Sequence, residues 1–552
     1  MHCLRSYDGD HLINHVKPRH GKVRVIPTNM EKFLVIQIGK LMFLDSFQFA
    51  PQSLESLVKT LNEDDFIHTK SIFGENCQIF KKGVFFYDYF KSEEVLNETC
   101  LPSREHFHNR LEDKECSIND YEYAQQVWKE QNCQTIRDYH NLYLKSDVTL
   151  LADFFEKFRK MCMDYYGLEA AYYFSASSMS WDSALKMTGI ELEIIDNEPQ
   201  YTFFEQSIRG GVSQISLRKA TANTPKMENY DSSKPRVDLL YVDCCNLYGK
   251  SMCESLPTGN FRWKEPDFDV SSVDDFSKKG YVAEIDAYFP DHLHDKFNDY
   301  PLAPENIIID DTFLSPYQSN FPDEHKKPTK KLAPNLLPKK NYILHYRNLK
   351  FYKEQGMIIT KVHRILEFDQ EPWLAPYINF NTKMRAQSTS SFAKDFFKLL
   401  NNSIFGKTQE NLRNRISVKI ITDEKVAKKL VCKPDMKRSY TINENLVVIE
   451  MMIKSLELNK PLYVGFSVLE LSKLTMYKFH YQQMTQWFNN ITLAFTDTDS
   501  LLYKIIDQDI HQVMKEKEEH SLPDTKWKAE KSCGSFFCGN HRIQECEKGF
   551  RD

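Results

Sequence analysis

The sequence predicts a multi-domain α+β protein. Its 552 residues are too many for one hydrophobic core and suit about three or four compact units. Short β-branched and aromatic runs such as Lys32 to Leu44 stand among helical patterns, and β-rich apolar runs at Asp238 to Tyr248 and Ile491 to Ile506 end in acidic turns. Hydrophobic residues make up 41% and charged residues 27%, the balance of a folded rather than a disordered chain. A formal charge of −5 excludes a protein that coats nucleic acid by charge alone, although local basic clusters can still bind phosphates. The cysteines follow no regular spacing, and no basic leader with an apolar core precedes the first domain, which reads as reduced thiols in an intracellular protein. No apolar run approaches bilayer length, since even Phe33 to Phe49 is broken by Gln37, Lys40 and Asp45, so no membrane partner is expected.

Along the chain, the clearest helix of the first part runs from Tyr139 to Tyr166. Leu144, Val148, Leu151, Phe155 and Phe158 recur there at intervals of three and four and are expected to share one apolar face, with Gly167 ending the helix. Thr221 to Arg236 is rich in Asn, Ser, Thr, Lys and Pro and reads as a linker at a domain boundary. Ser315 to Lys340 is polar and Pro-rich, with six lysines from Lys326 onward; it is either a solvated loop or a contact to a nucleic-acid backbone.

Three segments carry chemistry. Asp238 to Tyr248 reads D-L-L-Y-V-D-C-C-N-L-Y, a strand that delivers Asp243 to a turn. Ile491 to Ile506 reads I-T-L-A-F-T-D-T-D-S-L-L-Y-K-I-I, two strands joined at a D-T-D corner. Alternation is expected to put Asp497 and Asp499 on one side, where the carboxylates repel unless a cation intervenes; magnesium fits, as a hard ion that takes carboxylate and phosphate oxygens together. Alone, a strand-end aspartate serves equally as a turn or cap residue. In Phe392 to Lys407, Lys394, Lys398 and Asn402 follow at intervals of four and share one helical face, with Phe392, Phe396 and Leu399 opposite. Such a helix is either a plain amphipathic surface helix or one that presents ammonium groups to an anion.

In this order the segments resemble motifs A, B and C of family B DNA polymerases, D-x-x-S-L-Y-P, K-x-x-x-N-S-x-Y-G and Y-x-D-T-D-S. They stand here as Asp243 to Gly249, Lys398 to Gly406 and Phe495 to Ser500, with Asn246, Gly249, Phe405 and Phe495 as departures. Ser207 to Ser213, S-I-R-G-G-V-S, is similar to the Y-x-G-G element of the protein-primed branch found in viruses and Maverick or Polinton transposons, with Ile208 in the tyrosine's place. Lys340 to Tyr346 and Phe368 to Tyr377 resemble phrases of the transposon members, and the long intervals between motifs leave room for that branch's two insertions. Asp8 in S-Y-D-G-D-H-L-I resembles the second exonuclease motif, and Tyr143 with Asp147 the third. The first motif, D-x-E, is expected before Asp8, and a K-x-Y element and thumb after motif C; neither is found, so both ends read as truncated.

The resemblance implies an RNase H-like exonuclease-type domain at 1–165, incomplete; a connecting region and linker at 166–235; and at 236–552 a polymerase palm built on an antiparallel sheet, with helical fingers, insertions and little thumb. It implies a DNA-directed DNA polymerase that adds deoxynucleotides to a 3′-hydroxyl by two-metal phosphoryl transfer, in the protein-primed replication of a mobile element or virus. Asp243 and Asp499 would hold two Mg²⁺ ions, for which Mn²⁺ can substitute, with Asp497 in support. Tyr248 would lie beneath the sugar as a steric gate, and Lys394, Lys398, Asn402 and Arg385 would meet the nucleotide. The partners are template and primer DNA, deoxynucleoside triphosphates and a terminal priming protein, with nuclear localisation in a eukaryotic host. Asp8, Tyr143 and Asp147 alone are not expected to sustain exonuclease activity. Two readings stay open: an inactive transposon-derived remnant that at most binds DNA, and a two-metal nuclease, against which the motif B lysines speak because a hydrolase has no triphosphate to grip. Cys533, Cys538, His541 and Cys546, spaced C-x4-C-x2-H-x4-C, are either zinc ligands or free thiols.

Overall fold

The computed structural model describes residues 1–75, 77–225, 227–244, 246–320 and 329–518, together with the backbone of Trp527–Glu530, Ser535–Cys538 and His541–Glu545. The zinc reading at Cys533, Cys538, His541 and Cys546, and Lys326 and Lys327 of the basic segment, lie outside the residues whose side chains are described. Among the described residues no helix is long and apolar enough to cross a membrane. The chain forms two compact units, neither of them contiguous in sequence.

The first unit combines Met1–Met187, Phe380–Ile404 and Asn411–Glu457. The amino-terminal segment thus continues to 187 rather than 165 and shares its core with two later stretches. Lys32 to Leu44 folds as a hairpin, Phe33–Ile38 pairing antiparallel with Leu41–Leu44, and Val23–Pro27 completes the sheet. Ile13, Phe33 and Ile36 are buried with Val418, Ile420, Leu446 and Val448 of a second antiparallel sheet in the order Ser417–Ile421, Leu446–Met451, Met436–Asn443. The expected long helix spans Ile136–Tyr166, opens at Thr135 with a capping box to Asp138, and closes on Gly167 at φ 63.

Its buried face is only partly the one that apolar spacing predicts: Phe158 is buried, and Leu151 and Phe155 are half-buried. Leu144 and Val148 are 56% and 61% exposed, while Leu142, Ser146, Thr149, Leu150, Asp153 and Phe154 are buried. The polar members of that stripe have internal partners: the Asp153 carboxylate accepts from the amides of His68 and Thr69 at 2.6 and 3.1 Å and so caps the helix Ile67–Phe73. A hydrophobicity count misses a face whose cost of burial is met by hydrogen bonds.

The second unit combines Thr188–Asn379, Phe405–Glu410 and Leu458–Asp552. One of its sheets is four-stranded and antiparallel, in the order Lys339–His345, Lys279–Tyr288, Ile358–Glu371, Leu256–Lys264. The other has, in order, Ser213–Ile215, Ile491–Asp497, Ser500–Ile506 and Val237–Cys244, continued by the three strands of residues 527–545. Helix Leu462–Lys478 is buried on nearly every side. The polar segment Thr221–Arg236 does not separate units: Asn223 bridges to Val237 and its amide donates to the carbonyls of Asp231 and Pro235, while Ala220 and Ala222 pack on Leu239. In the basic segment, Lys330 and Lys331 are exposed, whereas Lys339 is 1% exposed and paired with Glu305 at 2.6 Å, a structural role.

Candidate active site

The strand Val237–Cys244 carries two aspartates with different fates. Asp238 is buried and takes the guanidinium of Arg236 at 2.7 Å, which also reaches Asp509 at 2.6 Å, so it is neutralised at the strand's root. Asp243 lies at the other end, half-buried, where the strand gives way to a turn. Asn246 adopts a left-handed conformation at φ 62, which asparagine tolerates better than most residues, and heads the helix Leu247–Met252. A Cβ at position 249 would run into the Asn246 amide. The two departures from the motif, Asn246 and Gly249, therefore go together: the amide occupies space that a proline or alanine at 249 would need.

The second aspartate pair sits on the neighbouring hairpin. Ile491–Asp497 and Ser500–Ile506 pair with Asp497 opposite Ser500, leaving Thr498 and Asp499 as a two-residue turn, and Ser500 pairs with Asp243 on the next strand. The Cys244 amide donates to the Asp499 carbonyl at 2.8 Å, which fixes the two strand ends to each other. Thr498 takes φ 56, an uncommon conformation for a β-branched residue that costs about 1–3 kcal/mol and persists only where its surroundings enforce it. They do so here: the Thr498 amide donates to the Val212 carbonyl at 2.8 Å, Ser213 pairs with Asp497, and a Cβ on Gly211 would collide with the Thr498 side chain. The segment Ser207 to Ser213 is thus the shelf beneath the acidic turn.

Strand alternation does not extend through that turn. Asp497 is exposed and Asp499 half-buried, so the two do not share one strand face as expected. They remain electrostatically coupled, since burial first, then the charge of Asp243, then that of Asp497 raise the Asp499 carboxyl above the usual range, and no cationic side chain among the described residues lowers it. Tyr248, one turn into the helix after Asp243, is half-buried with its ring 4.6 Å from that of Phe405 at 31°. Its hydroxyl is held above the ordinary tyrosine range by burial and by the charge of Asp499.

The expected helix spans Ser391–Thr408, and Lys394, Lys398 and Asn402 form an exposed row along it. Phe392 and Phe396 are buried, at 5.5 and 5.4 Å from the rings of Phe154 and Phe158. Leu399, expected on the buried face, is only half-buried. Arg385, on the preceding helix Ala375–Gln387, is exposed, and none of Arg385, Lys394 and Lys398 has an ion-pair partner among the described residues. These residues belong to the first unit, whereas Asp243, Tyr248, Asp497 and Asp499 belong to the second.

Of the remaining predicted residues, Tyr143 and Asp147 meet, the tyrosine hydroxyl bonding the carboxylate. Asp147 lies 3.7 Å from Lys82; burial raises its carboxyl, and Lys82 and the Tyr143 hydroxyl oppose that shift. Tyr143 also bonds Tyr87 at 2.8 Å. Asp8 is raised by burial, with the amino terminus, Asp45 and two histidines as its charged neighbours.

Sequence reasoning passed over Lys473 and Glu470, a buried pair 3.3 Å apart in the otherwise apolar run Leu462 to Leu474. A lysine three residues after a glutamate inside such a run is itself the signal.

The sequence profile described as DNA polymerase type B, organellar and viral, matches residues 1–486, ending just before the acidic hairpin. No curated protein matches the sequence. Among solved structures the fold is similar to Phi29 DNA polymerase complexed with primer-template DNA and incoming nucleotide substrates, at TM-score 0.51 and 15% identity over 93% of this chain and 73% of that one. It is likewise similar to the binary complex of Phi29 DNA polymerase with primer-template DNA, at TM-score 0.50 and 14% identity over 93% and 72%. These likenesses bear on the fold, a mixture of helices and antiparallel sheets with an exonuclease-like part and a polymerase palm and fingers. With most of its length matched by the profile, the chain belongs to the organellar and viral type B DNA polymerases, and is a DNA-directed DNA polymerase.

Proposed function

We propose that the chain extends a 3′-hydroxyl along a DNA template by two-metal phosphoryl transfer, in the protein-primed replication of a mobile element or virus. The observation that carries this is the adjacency of Asp243 and Asp499 at two paired strand ends, with Asp243's charge raising the Asp499 carboxyl and no cationic side chain among the described residues lowering it. The donor set fits magnesium. Among the described residues no cage of three or more His, Cys, Asp or Glu is present, and magnesium is characteristically held by one or two carboxylates together with substrate phosphates. When bound, magnesium supplies the positive charge that an attacking hydroxyl and a departing pyrophosphate require, with manganese as its substitute.

The protein's own groups do the rest. Asp243 and Asp499 anchor the ions, and Asp497 adds negative charge at the turn. The Tyr248 ring supports the sugar. Lys394, Lys398 and Arg385, exposed and with no ion-pair partner among the described residues, would offer cations to the triphosphate, and Asn402 an amide. Template choice rests on base pairing, so the protein needs only backbone and shape contacts. The transposon-like phrases at Lys340 to Tyr346 and Phe368 to Tyr377 support an origin in a mobile element or virus acting inside its host cell, with a terminal protein's hydroxyl as the first primer.

Primer extension by the purified chain with Mg²⁺, beside Asp499→Ala, tests the reading. Extension by the wild type, its loss in the variant and unchanged DNA affinity in both are expected. Equal extension by both overturns the assignment of the metal pair, and a folded wild type that binds DNA without extending it favours the inactive remnant.

A further inference from the structure

The segment Ser207 to Ser213 is gripped by two buried cations that the reaction does not use. Arg209, 7% exposed, donates from Nη1 to the carbonyls of Ile343 and Ser207 at 2.7 and 3.3 Å, and its guanidinium lies 3.8 Å over the Tyr342 ring. Lys473, 5% exposed in the middle of helix Leu462–Lys478, donates from Nζ to the Arg209 carbonyl at 2.9 Å and reaches that of Gly210 at 3.5 Å. Its carboxylate partner, Glu470, is 2% exposed. A buried pair of this kind is a poor device for stability, because apolar residues of similar volume serve as well or better. What an ammonium group does and a methionine cannot is hold two successive carbonyls in place.

We infer that Lys473 is a positioning residue for the polymerase reaction, fixing the Arg209–Gly210 backbone so that the shelf beneath Thr498 holds Asp497 and Asp499 in their places against Asp243. The contacts run without a break. Lys473 holds the carbonyls of Arg209 and Gly210. Gly211 lies directly against the Thr498 side chain, with no room for a Cβ. The Val212 carbonyl takes the Thr498 amide, and Ser213 pairs with Asp497. Thr498 needs such support, since its left-handed conformation is one a threonine leaves readily when unsupported. This inference rests on the reading of Asp243 and Asp499 as the metal-binding pair.

The test uses the full chain with Lys473→Met, Lys473→Arg and the double variant Glu470→Leu/Lys473→Met, which removes the buried glutamate that the single variant leaves unpaired. Three quantities are measured: thermal melting, hydrogen exchange of the peptide covering residues 491–506, and Mn²⁺ affinity by electron paramagnetic resonance. The double variant should melt as the wild type does. Its hairpin should exchange faster, its Mn²⁺ affinity should weaken about 10- to 100-fold, as when an outer-shell partner of a metal site is lost, and its turnover should fall while DNA affinity holds. Lys473→Arg should recover part of each. Wild-type exchange and wild-type Mn²⁺ affinity in a well-folded double variant overturn the inference. Asp499→Ala separates the two claims: if it binds Mn²⁺ like the wild type, the metal pair is wrong, and hydrogen exchange in the double variant still decides the role of Lys473.

Discussion

Tyr248 shows how much one residue's surroundings decide. Its ring is braced by Phe405 and its hydroxyl lies under the influence of Asp499, so it has little freedom to move away from a sugar seated beside the carboxylates. On the proposed reading a 2′-hydroxyl meets this ring. Tyr248→Val is expected to lower discrimination against ribonucleotides roughly 10- to 100-fold, the scale on which pocket shape separates closely similar substrates, as measured by kcat/KM for each nucleotide. Unchanged discrimination would remove Tyr248 from the site. Asp499 makes the opposite case, a residue that the proposed reaction requires and stability does not. Its carboxyl is raised in the folded protein, so the fold prefers the protonated form. That preference stabilises fully below the unfolded pKa and is lost as the pH rises through the raised folded value. At neutral pH the charge therefore works against folding. Without divalent metal, Asp499→Asn should melt higher than the wild type at pH 7, with the gain shrinking on acidification, and should fail to extend primers. A lower melting temperature at pH 7 would show that the carboxylate is structurally paired after all. The placement of Asp243 and Asp499 at two strand ends was legible in the sequence because each lies where an apolar run stops at an acidic turn. The shelf under Thr498 was not, since Gly211 looks like any loop glycine until its neighbour is known.

At the scale of elements, the helix Ser391–Thr408 was read correctly and the helix Ile136–Tyr166 only in part, for a common physical reason. In the first, the buried face is made of phenylalanines and the exposed face of Lys394, Lys398 and Asn402, so periodicity and burial agree. In the second, Ser146, Thr149 and Asp153 are buried through hydrogen bonds while Leu144 and Val148 face outward. Periodicity reads hydrophobicity and is blind to satisfied polar groups. The same blindness turned Thr221 to Arg236 into a linker, although Asn223 ties its ends together. The exposed row on the first helix has a direct consequence for the reaction. Hydrogen bonds to charged groups contribute about 1.5–3 kcal/mol, so Lys398→Ala should raise the KM for nucleotides about 10- to 100-fold. Buried Phe396 and Phe397 should keep the melting temperature within a degree or two of the wild type. A normal KM would leave the row as a solvated surface.

The whole molecule raises a question about why an exonuclease-like part persists. Asp45, whose charge bears on Asp8, is 1% exposed and committed to the amides of Cys3, Arg5 and Phe47 at 2.9, 3.3 and 3.1 Å, so it is not available to complete a metal site with Asp8. Asp147 is engaged by Lys82 and by the Tyr143 hydroxyl. Labelled single-stranded DNA with Mg²⁺ or Mn²⁺ is accordingly expected to survive incubation with the chain; shortening that disappears in Asp147→Ala would show that a working site forms. What the part supplies instead is a core. Val418, Ile420, Leu446 and Val448 are buried against Ile13, Phe33 and Ile36, and Phe392 and Phe396 against Phe154 and Phe158. Each fully buried side chain of this size contributes about 1.5–3 kcal/mol, so exposing these six by removing residues 1–187 costs residues 380–457 up to about 9–18 kcal/mol, as much as the roughly 5–15 kcal/mol by which domains are usually stable. A fragment of residues 188–552 should therefore bind a hydrophobic dye and lose protease protection across residues 380–457, and co-expression with residues 1–187 should restore both. A fragment that keeps residues 380–457 protected on its own would show that the amino-terminal part is dispensable to the fold, and its persistence would then need an activity to explain it.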